Sequence, residues 1–393
     1  MKNKIVLTAA FFAASTFSFA EIALTENLSV GGFVDMSYAH ADDDRDNASD
    51  SNNNYSLDQV ELTFGLDYGV VTAQIDIEWT DANGSAIDQA FTTYDLGNGF
   101  KVTAGRYDSM LGFEAFEATG LYQVSKAYES NTNAFAVESF GFIPAVAGPL
   151  GNPQINFTAS DISSLIAPET NNGVKVTYED GTQFFGLSLQ DGGIFGDNRL
   201  GGDSAANNAN QGLINSFTGI FNNNQEISGY AVEAAYARDL GNGFNVFVGA
   251  LFEETEIDQN VNPDVETSVD TTVINAYVTY ETGAWLFAAE IMQSEHDIDA
   301  PGNALAVDDI NIDSFLIMAN YTYSDQASVT ARISNVDVDN FFDATKFTVA
   351  HLYAITDNLA IAAEISTTDY DYERAGSPDG DTLEGAVELL FTF

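Results

Sequence analysis

Carboxylates recur at every second position of extended segments in this chain. Glu61, Asp76, Glu78, Glu233, Glu290, Glu364, Glu384 and Glu388 alternate with apolar residues. Successive side chains of a strand point to opposite faces, so these acids share one face and the apolar residues the other. An acidic face concentrates cations and repels anions; its plainer role is to solvate a polar wall. Bases on that face are fewer, with Lys101 and Arg332 the clearest. Catalysis has much less to work with. His40, His296 and His351 stand apart, and no GxSxG or HExxH occurs. With no cysteine, thiolate metal sites and disulfides are excluded. No cofactor motif is present, and no enzyme is expected. The run Asp42-Asp43-Asp44-Arg45-Asp46 offers oxygen ligands. It lacks the spacing and central glycine of a calcium-binding loop, so it reads as a solvated external loop and no metal site is assigned.

The formal charge of −47 excludes a nucleic-acid partner, which would require Lys and Arg against phosphates. It does not make the chain disordered: 29 Phe and 17 Tyr, with period-two alternation, provide enough apolar surface for a fold. Only 7 Pro among many Gly and Asn favours strands joined by tight turns.

The elements that position the acids follow from that alternation. Val71, Ala73, Ile75, Ile77 and Trp79 interleave with Thr72, Gln74, Asp76, Glu78 and Thr80. Trp285 to Met292 and Leu359 to Ser366 behave alike. Phe244 to Glu254 and Phe347 to Tyr353 are apolar on both faces, which leaves their direction open. Short turns fall at 67–69, 96–99, 179–181, 240–243, 282–283, 324–326 and 356–358. Long polar connections fall at about 39–55, 108–172, 191–227, 255–270, 296–311, 337–345 and 371–381. Turns on one side and loops on the other are the rhythm of a transmembrane antiparallel β-barrel. The segments between them number sixteen; Phe135/Val137 and Ile155/Phe157/Ala159 would make eighteen if they formed a hairpin, against which Pro144, Pro149 and Pro153 argue. Beyond residue 20 no run of about 18 apolar residues exists, so strands are the only means of crossing a bilayer. Tyr38, Tyr68, Trp79, Tyr280, Trp285, Tyr321, Tyr323 and Tyr353 sit at strand ends, where they could form interfacial girdles.

The two ends complete this picture. Lys2 and Lys4 precede a mostly apolar stretch, Ile5 to Phe17, and then Ser18-Phe19-Ala20, the pattern of a cleaved signal peptide over 1–20. Residues 21–393 are then expected to form one barrel domain. In Thr382 to Phe393, Leu383, Gly385, Val387, Leu389, Phe391 and Phe393 share one side. An amphipathic final strand ending in an aromatic residue resembles the assembly signal of outer-membrane barrels, with Phe391 and Phe393 as its residues.

Together these features resemble a Gram-negative outer-membrane porin. Thr103-Ala104-Gly105-Arg106-Tyr107-Asp108-Ser109-Met110-Leu111-Gly112-Phe113-Glu114 is similar to the strand-to-loop passage of β-barrel porins of the OmpL-like kind, and Asn172 to Glu179 to their next strand. The resemblance implies an integral barrel in the outer membrane, surrounded by its lipids and lipopolysaccharide. It also implies delivery by periplasmic chaperones and the barrel-assembly machinery. The expected function is passive diffusion of ions and small hydrophilic solutes, cation-selective through the acidic face. A homotrimer is the usual assembly, although the second external loop, Asp81 to Ser85, is too short to latch onto a neighbour.

Connection 108–172 is the one long enough to enter the lumen as a constriction. Glu114 and Glu117 would form its acidic side, opposed by Lys101, Arg106 and Lys126. The alternative is a secreted or surface-anchored acidic adhesin or structural protein, which leaves the loop rhythm and the terminal strand unexplained.

Overall fold

The last strand of the chain hydrogen-bonds to the first long one, and this closes the sheet. In a computed structural model the described residues are 22–44, 50–80, 84–115, 117–128, 165–166, 168–194, 225–259, 266–299, 309–339, 342–372 and 380–393. After a two-residue segment, β1 (Ile22–Ala23), come β2 (Leu28–Asp43), β3 (Asp50–Asp67), β4 (Val71–Thr80), β5 (Gly84–Gly97) and β6 (Phe100–Asp108). Then follow β7 (Thr170–Glu179), β8 (Gln183–Gln190), β9 (Gln225–Gly241), β10 (Phe244–Gln259) and β11 (Glu266–Thr282). The last are β12 (Trp285–Asp299), β13 (Asp309–Ser324), β14 (Ala327–Val338), β15 (Phe342–Thr356), β16 (Leu359–Tyr372) and β17 (Gly380–Thr392). Each strand from β2 onward pairs antiparallel with the next. β17 returns to β2, in register from Thr382 opposite Asp43 to Thr392 opposite Phe33. The result is a closed barrel of sixteen strands with β1 as an added strand on β2. The expected signal peptide and the optional hairpin near 135–159 lie outside the described residues.

Alternation sets the two faces. On β17, Thr382, Glu384, Ala386, Glu388 and Leu390 are buried on the inside, while Leu383, Val387 and Phe391 are exposed on the outside. On β12, Trp285, Phe287 and Ile291 face out, and Ala288, Glu290, Met292, Ser294 and His296 face in. An aromatic band follows the short-turn end of the outer surface. Phe100 packs on Tyr178 at 4.7 Å, Phe244 on Tyr280 at 4.1 Å, and Trp285 on Tyr321 at 4.5 Å between ring centroids.

The short turns are built locally. In the repeated Asp-Leu-Gly-Asn-Gly sequence, Asn98 and Gly99 have φ of 55° and 86°, and Asn242 and Gly243 have 57° and 85°. These left-handed pairs match the twist of a hairpin. The preceding aspartates fasten the turn: Asp95 Oδ1 accepts from Gly97 N at 2.7 Å and Asp239 Oδ1 from Gly241 N at 2.6 Å. Asp180 does the same job for the turn after β7, accepting from Thr182 Oγ1, Thr182 N and Gln183 N, and these bonds, the hydroxyl's first, hold its carboxyl down at about 2.

Several external connections are shorter than the sequence predicts. β2 and β3 run to Asp43 and from Asp50, where a connection over 39–55 is expected, and β14 and β15 leave only 339–341 between them. Above the apolar band both faces of a strand are polar, so alternation disappears while the backbone ladder continues.

Phe393 extends the seam, since its N donates to Gly32 O at 3.0 Å and its O accepts from Gly32 N at 2.9 Å. Deleting Phe393 removes both bonds and the ring stacked on Phe391 at 6.0 Å. The expected outcome is a marked loss of heat-modifiable barrel in the outer-membrane fraction, read by gel mobility before and after boiling.

Candidate functional site

The inner face divides into two walls with different surroundings. Along β9 to β16 it is covered by chain that leaves β6 and crosses the interior, joined by the first residues of the segment that leaves β8. Leu111, Phe113, Ala127, Leu165, Ile166 and Ile194 pack there against inward apolar residues such as Phe247, Leu251, Val273, Met292 and Leu316. This settles the direction of the stretch around Phe244: Phe247 and Leu251 point in because a loop lies on them, whereas Val248 and Phe252 point out. Glycines make room for the same loop. A β-carbon at Gly186 would stand 2.3 Å from Met110 Sδ, and one at Gly249 2.4 Å from Leu111 Cδ2.

Irregular backbone inside a barrel must find partners for its N–H and C=O groups. The inward carboxylates supply acceptors. Glu233 accepts from Met110 N at 2.5 Å and Ser109 Oγ at 3.1 Å, and Glu290 accepts from Phe113 N at 2.8 Å. Glu364 accepts from Val124 N at 2.8 Å, Ser125 N at 3.0 Å and Ser125 Oγ at 2.6 Å. Asn275 Oδ1 takes Gly112 N at 3.0 Å, and Glu253 takes the N–H groups of Gly193 and Ile194. Donors on the wall serve the loop's carbonyls. Thr330 Oγ1 donates to Tyr122 O and Ser334 Oγ to Ala127 O, both at 2.6 Å. Arg332, 1% exposed, donates to Ser125 O and Lys126 O at 2.9 and 3.0 Å and pairs with Glu114 at 2.5 Å. Lys346 Nζ reaches Ser125 Oγ at 2.8 Å. His296 bridges Leu165 O and Thr271, and His351 lies outside against the Tyr323 hydroxyl.

The second wall, β3 to β8, is less covered. Between it and the loop lies a cavity of about 500 Å³, lined by Gln74, Lys101, Thr103, Glu117, Lys175 and Thr177 among others. Glu61 and Asp76 are buried on this wall and Glu78, Asp88 and Glu117 half-buried. Glu61 stands directly across from Glu78, a repulsive cross-strand pair. Glu117 Oε2 accepts from Gln59 Nε2 at 2.7 Å. Burial, with the charges of Glu61, Asp88, Asp108 and Glu78 around it, lifts the Glu117 carboxyl well above the usual carboxylate range.

The remaining candidates are distributed as follows. Glu114 meets Arg332 from the far wall, and also accepts Gln123 Nε2 and Ala127 N at 2.6 Å each. Lys126 pairs with Glu169 at 3.2 Å, and Arg106 Nε donates to Asp88 O at 2.6 Å. Lys101 is exposed on the cavity lining near the short turns. Glu384 takes Ser366 Oγ at 3.4 Å, and Glu388 lies beside Asp35. Sequence reading passed over Asp88, Gln59, Asn275, Thr330, Ser334 and Lys346. Only the apolar-on-both-faces stretch around Phe247 signalled that something packs inside.

The sequence profile of the Gram-negative porin family matches residues 6–374, and the chain belongs to that family. It is accordingly an integral outer-membrane barrel and a channel for small solutes. No curated protein matches it by sequence. Among solved structures it is similar to the outer-membrane channel DcaP of Acinetobacter baumannii, with TM-score 0.57 and 12% identity over 95% of this chain and 100% of that one. It is also similar to the anion-selective porin from Comamonas acidovorans, with TM-score 0.55 and 14% identity over 93% and 99%. The trimer form of OmpT from Vibrio cholerae gives TM-score 0.50 and 11% identity over 94% and 100%. At these identities the likeness is one of fold.

Replacing Glu364 with alanine leaves two backbone N–H groups and a hydroxyl without their acceptor. Each such loss costs about 1–3 kcal/mol. The variant is expected to keep its barrel but release the loop near Ser125, giving faster proteolysis between 109 and 128 and larger single-channel conductance than the parent.

Proposed function

We propose that the barrel conducts small cations and small hydrophilic solutes by passive diffusion, along a lane between the β3–β8 wall and the inward loop. One observation carries the cation preference. The bases of the covered wall, Arg332 and Lys346, are buried in contacts with the loop, while the half-buried Glu78, Asp88 and Glu117 gather on the less covered wall beside the buried Glu61 and Asp76. Bases on that side have acids close by: Lys126 has Glu169, Arg106 has Asp88, Lys175 has Glu233 and Asp108, and the exposed Lys101 stands across the strand pair from Asp95. Segment 109–128 is the constriction in this reading, with Glu117 on its open side and Glu114 on its anchored side. No catalytic role is assigned. An adhesin without channel activity has no support from the family.

A homotrimer belongs to the same proposal. The shortest wall, with β6, β7 and β8 of 9, 10 and 8 residues, carries exposed Val174, Val176, Phe185, Leu187 and Leu189. Mass determination in detergent separates one copy from three.

In a planar bilayer under a salt gradient, the purified protein is expected to give stepwise channels with a cation-selective reversal potential. A unit charge about 4 Å from a passing ion is worth about 1 kcal/mol in water. The double substitution Glu78→Gln, Asp88→Asn is therefore expected to lower the cation-to-anion permeability ratio several-fold. The effect shrinks in 1 M salt, where screening falls to about 3 Å. Anion selectivity, or no channels from heat-modifiable protein, overturns the reading.

A further inference from the structure

Three carboxylates from three separate elements meet on the open wall. Glu61 comes from β3, Asp88 from β5 and Glu117 from the inward loop, and each offers an oxygen within 4.8 Å of the others. That is the span across a calcium ion with ligands at about 2.4 Å. Acids collect in many places on a protein this acidic, so proximity alone says little. Two further observations point to a cation. Asp76 is 1% exposed, and its Oδ1 has no hydrogen-bond partner although Oδ2 accepts from Gln74 at 2.7 Å. It sits on the same face between Glu61 and Asp88: two residues from Glu78, which is opposite Glu61, and bracketed by the pairs Ile75–Ala90 and Ile77–Ile87 that enclose Asp88. Its charge acts on both carboxylates. Glu61 and Glu78, moreover, are like charges directly opposed in a sheet, an arrangement that costs stability unless something between them compensates.

We propose that Glu61, Asp88 and Glu117 bind one divalent cation, calcium by preference, with Asp76 Oδ1 accepting a hydrogen bond from ion-bound water. The neighbouring cations, Arg106 and Lys126, act on the Asp88 carboxylate by charge. Arg106 gives its Nε to the backbone oxygen of Asp88, and Lys126 pairs with Glu169. Gln59 holds one oxygen of Glu117 and Thr63 one oxygen of Glu61, and the two carboxyl groups are themselves in hydrogen-bond reach of each other. Calcium fits better than magnesium because carboxylates from three elements form an adaptable oxygen cage, whereas magnesium demands a near-ideal octahedron and holds its water. The ion would tie the open side of the loop to the wall opposite its carboxylate anchors, narrowing the lane. The site deepens the cation-conduction reading but is tested by binding, which requires no open channel.

The test is calorimetric titration of CaCl₂, and separately MgCl₂, into the full-length, detergent-folded protein, with Asp88→Asn and Glu117→Gln compared. The expected result is one saturable calcium site per chain, weakened at least ten-fold in each variant and weaker for magnesium. Heat-modifiable mobility confirms that each variant is folded. Absence of a saturable calcium site, or an affinity in both variants equal to the parent's, overturns the proposal and places any binding on the external acids. Should a variant fail to fold, crystals of the parent grown with terbium decide. Anomalous density among the three carboxylates supports the site, and density elsewhere alone refutes it.

Discussion

Hydrocarbon offers no partner to a peptide group, and this constraint governs the molecule at two scales. Across the bilayer it demands a sheet without edges, met when β17 pairs with β2 and Phe393 with Gly32. The same demand holds inside the barrel, where packing against the wall, in place of hydrocarbon, withholds water from the chain that leaves β6 at Asp108. That chain has no ladder of its own, so the wall must supply acceptors and donors one at a time. Glu233, Asn275, Glu290 and Glu364 provide the acceptors; Thr330, Arg332 and Ser334 provide the donors. The loop is held by the same kind of bond that holds the barrel, except that side chains stand in for backbone.

Carboxylates suit this task better than neutral acceptors. A charged acceptor makes a shorter bond, about twice as strong as a neutral one, and one carboxylate can take two or three donors. Glu364 does so with Val124 N, Ser125 N and Ser125 Oγ. The apolar contacts of Leu111 and Phe113 with Phe247, Leu251 and Tyr277 then exclude water, which strengthens those bonds in turn. Gly186 and Gly249 leave the recesses that the tips of the Met110 and Leu111 side chains occupy.

Much of the barrel was legible in the sequence because its cause is local. Alternation in Val71–Thr80 or Gly380–Thr392 follows from one face meeting lipid and the other not, and turns such as Asp95-Leu96-Gly97-Asn98-Gly99 carry their own hydrogen bonds and dihedral preferences. The inward direction of the acids follows from the same pattern. What they touch does not, because it depends on pairings across the lumen. Ser125 lies 239 residues from Glu364 and Phe113 177 from Glu290, and no local pattern announces either. Grouping Glu114 and Glu117 by closeness in sequence likewise placed them on one side, whereas one meets Arg332 on β14 and the other Gln59 on β3. Strand ends were misjudged where polar residues on both faces erased the alternation.

In the proposed cation-conducting reading, the distribution of bases, more than the number of acids, sets the field in the lumen. Arg332 and Lys346 lie among Glu114, Glu364 and Glu384, so the covered wall carries its counter-charges in place. On the opposite wall Glu61, Asp76, Glu78, Asp88 and Glu117 converge within reach of one another's charge, with Arg106 and Lys126 as the nearby cations. A barrel with the same count of carboxylates but with Arg332 on the open side would present a nearly balanced lane. Anchoring the loop thus does two things at once. It satisfies the loop's backbone and, in the proposed reading, it keeps positive charge away from the wall that solutes meet, leaving an excess of carboxylates there.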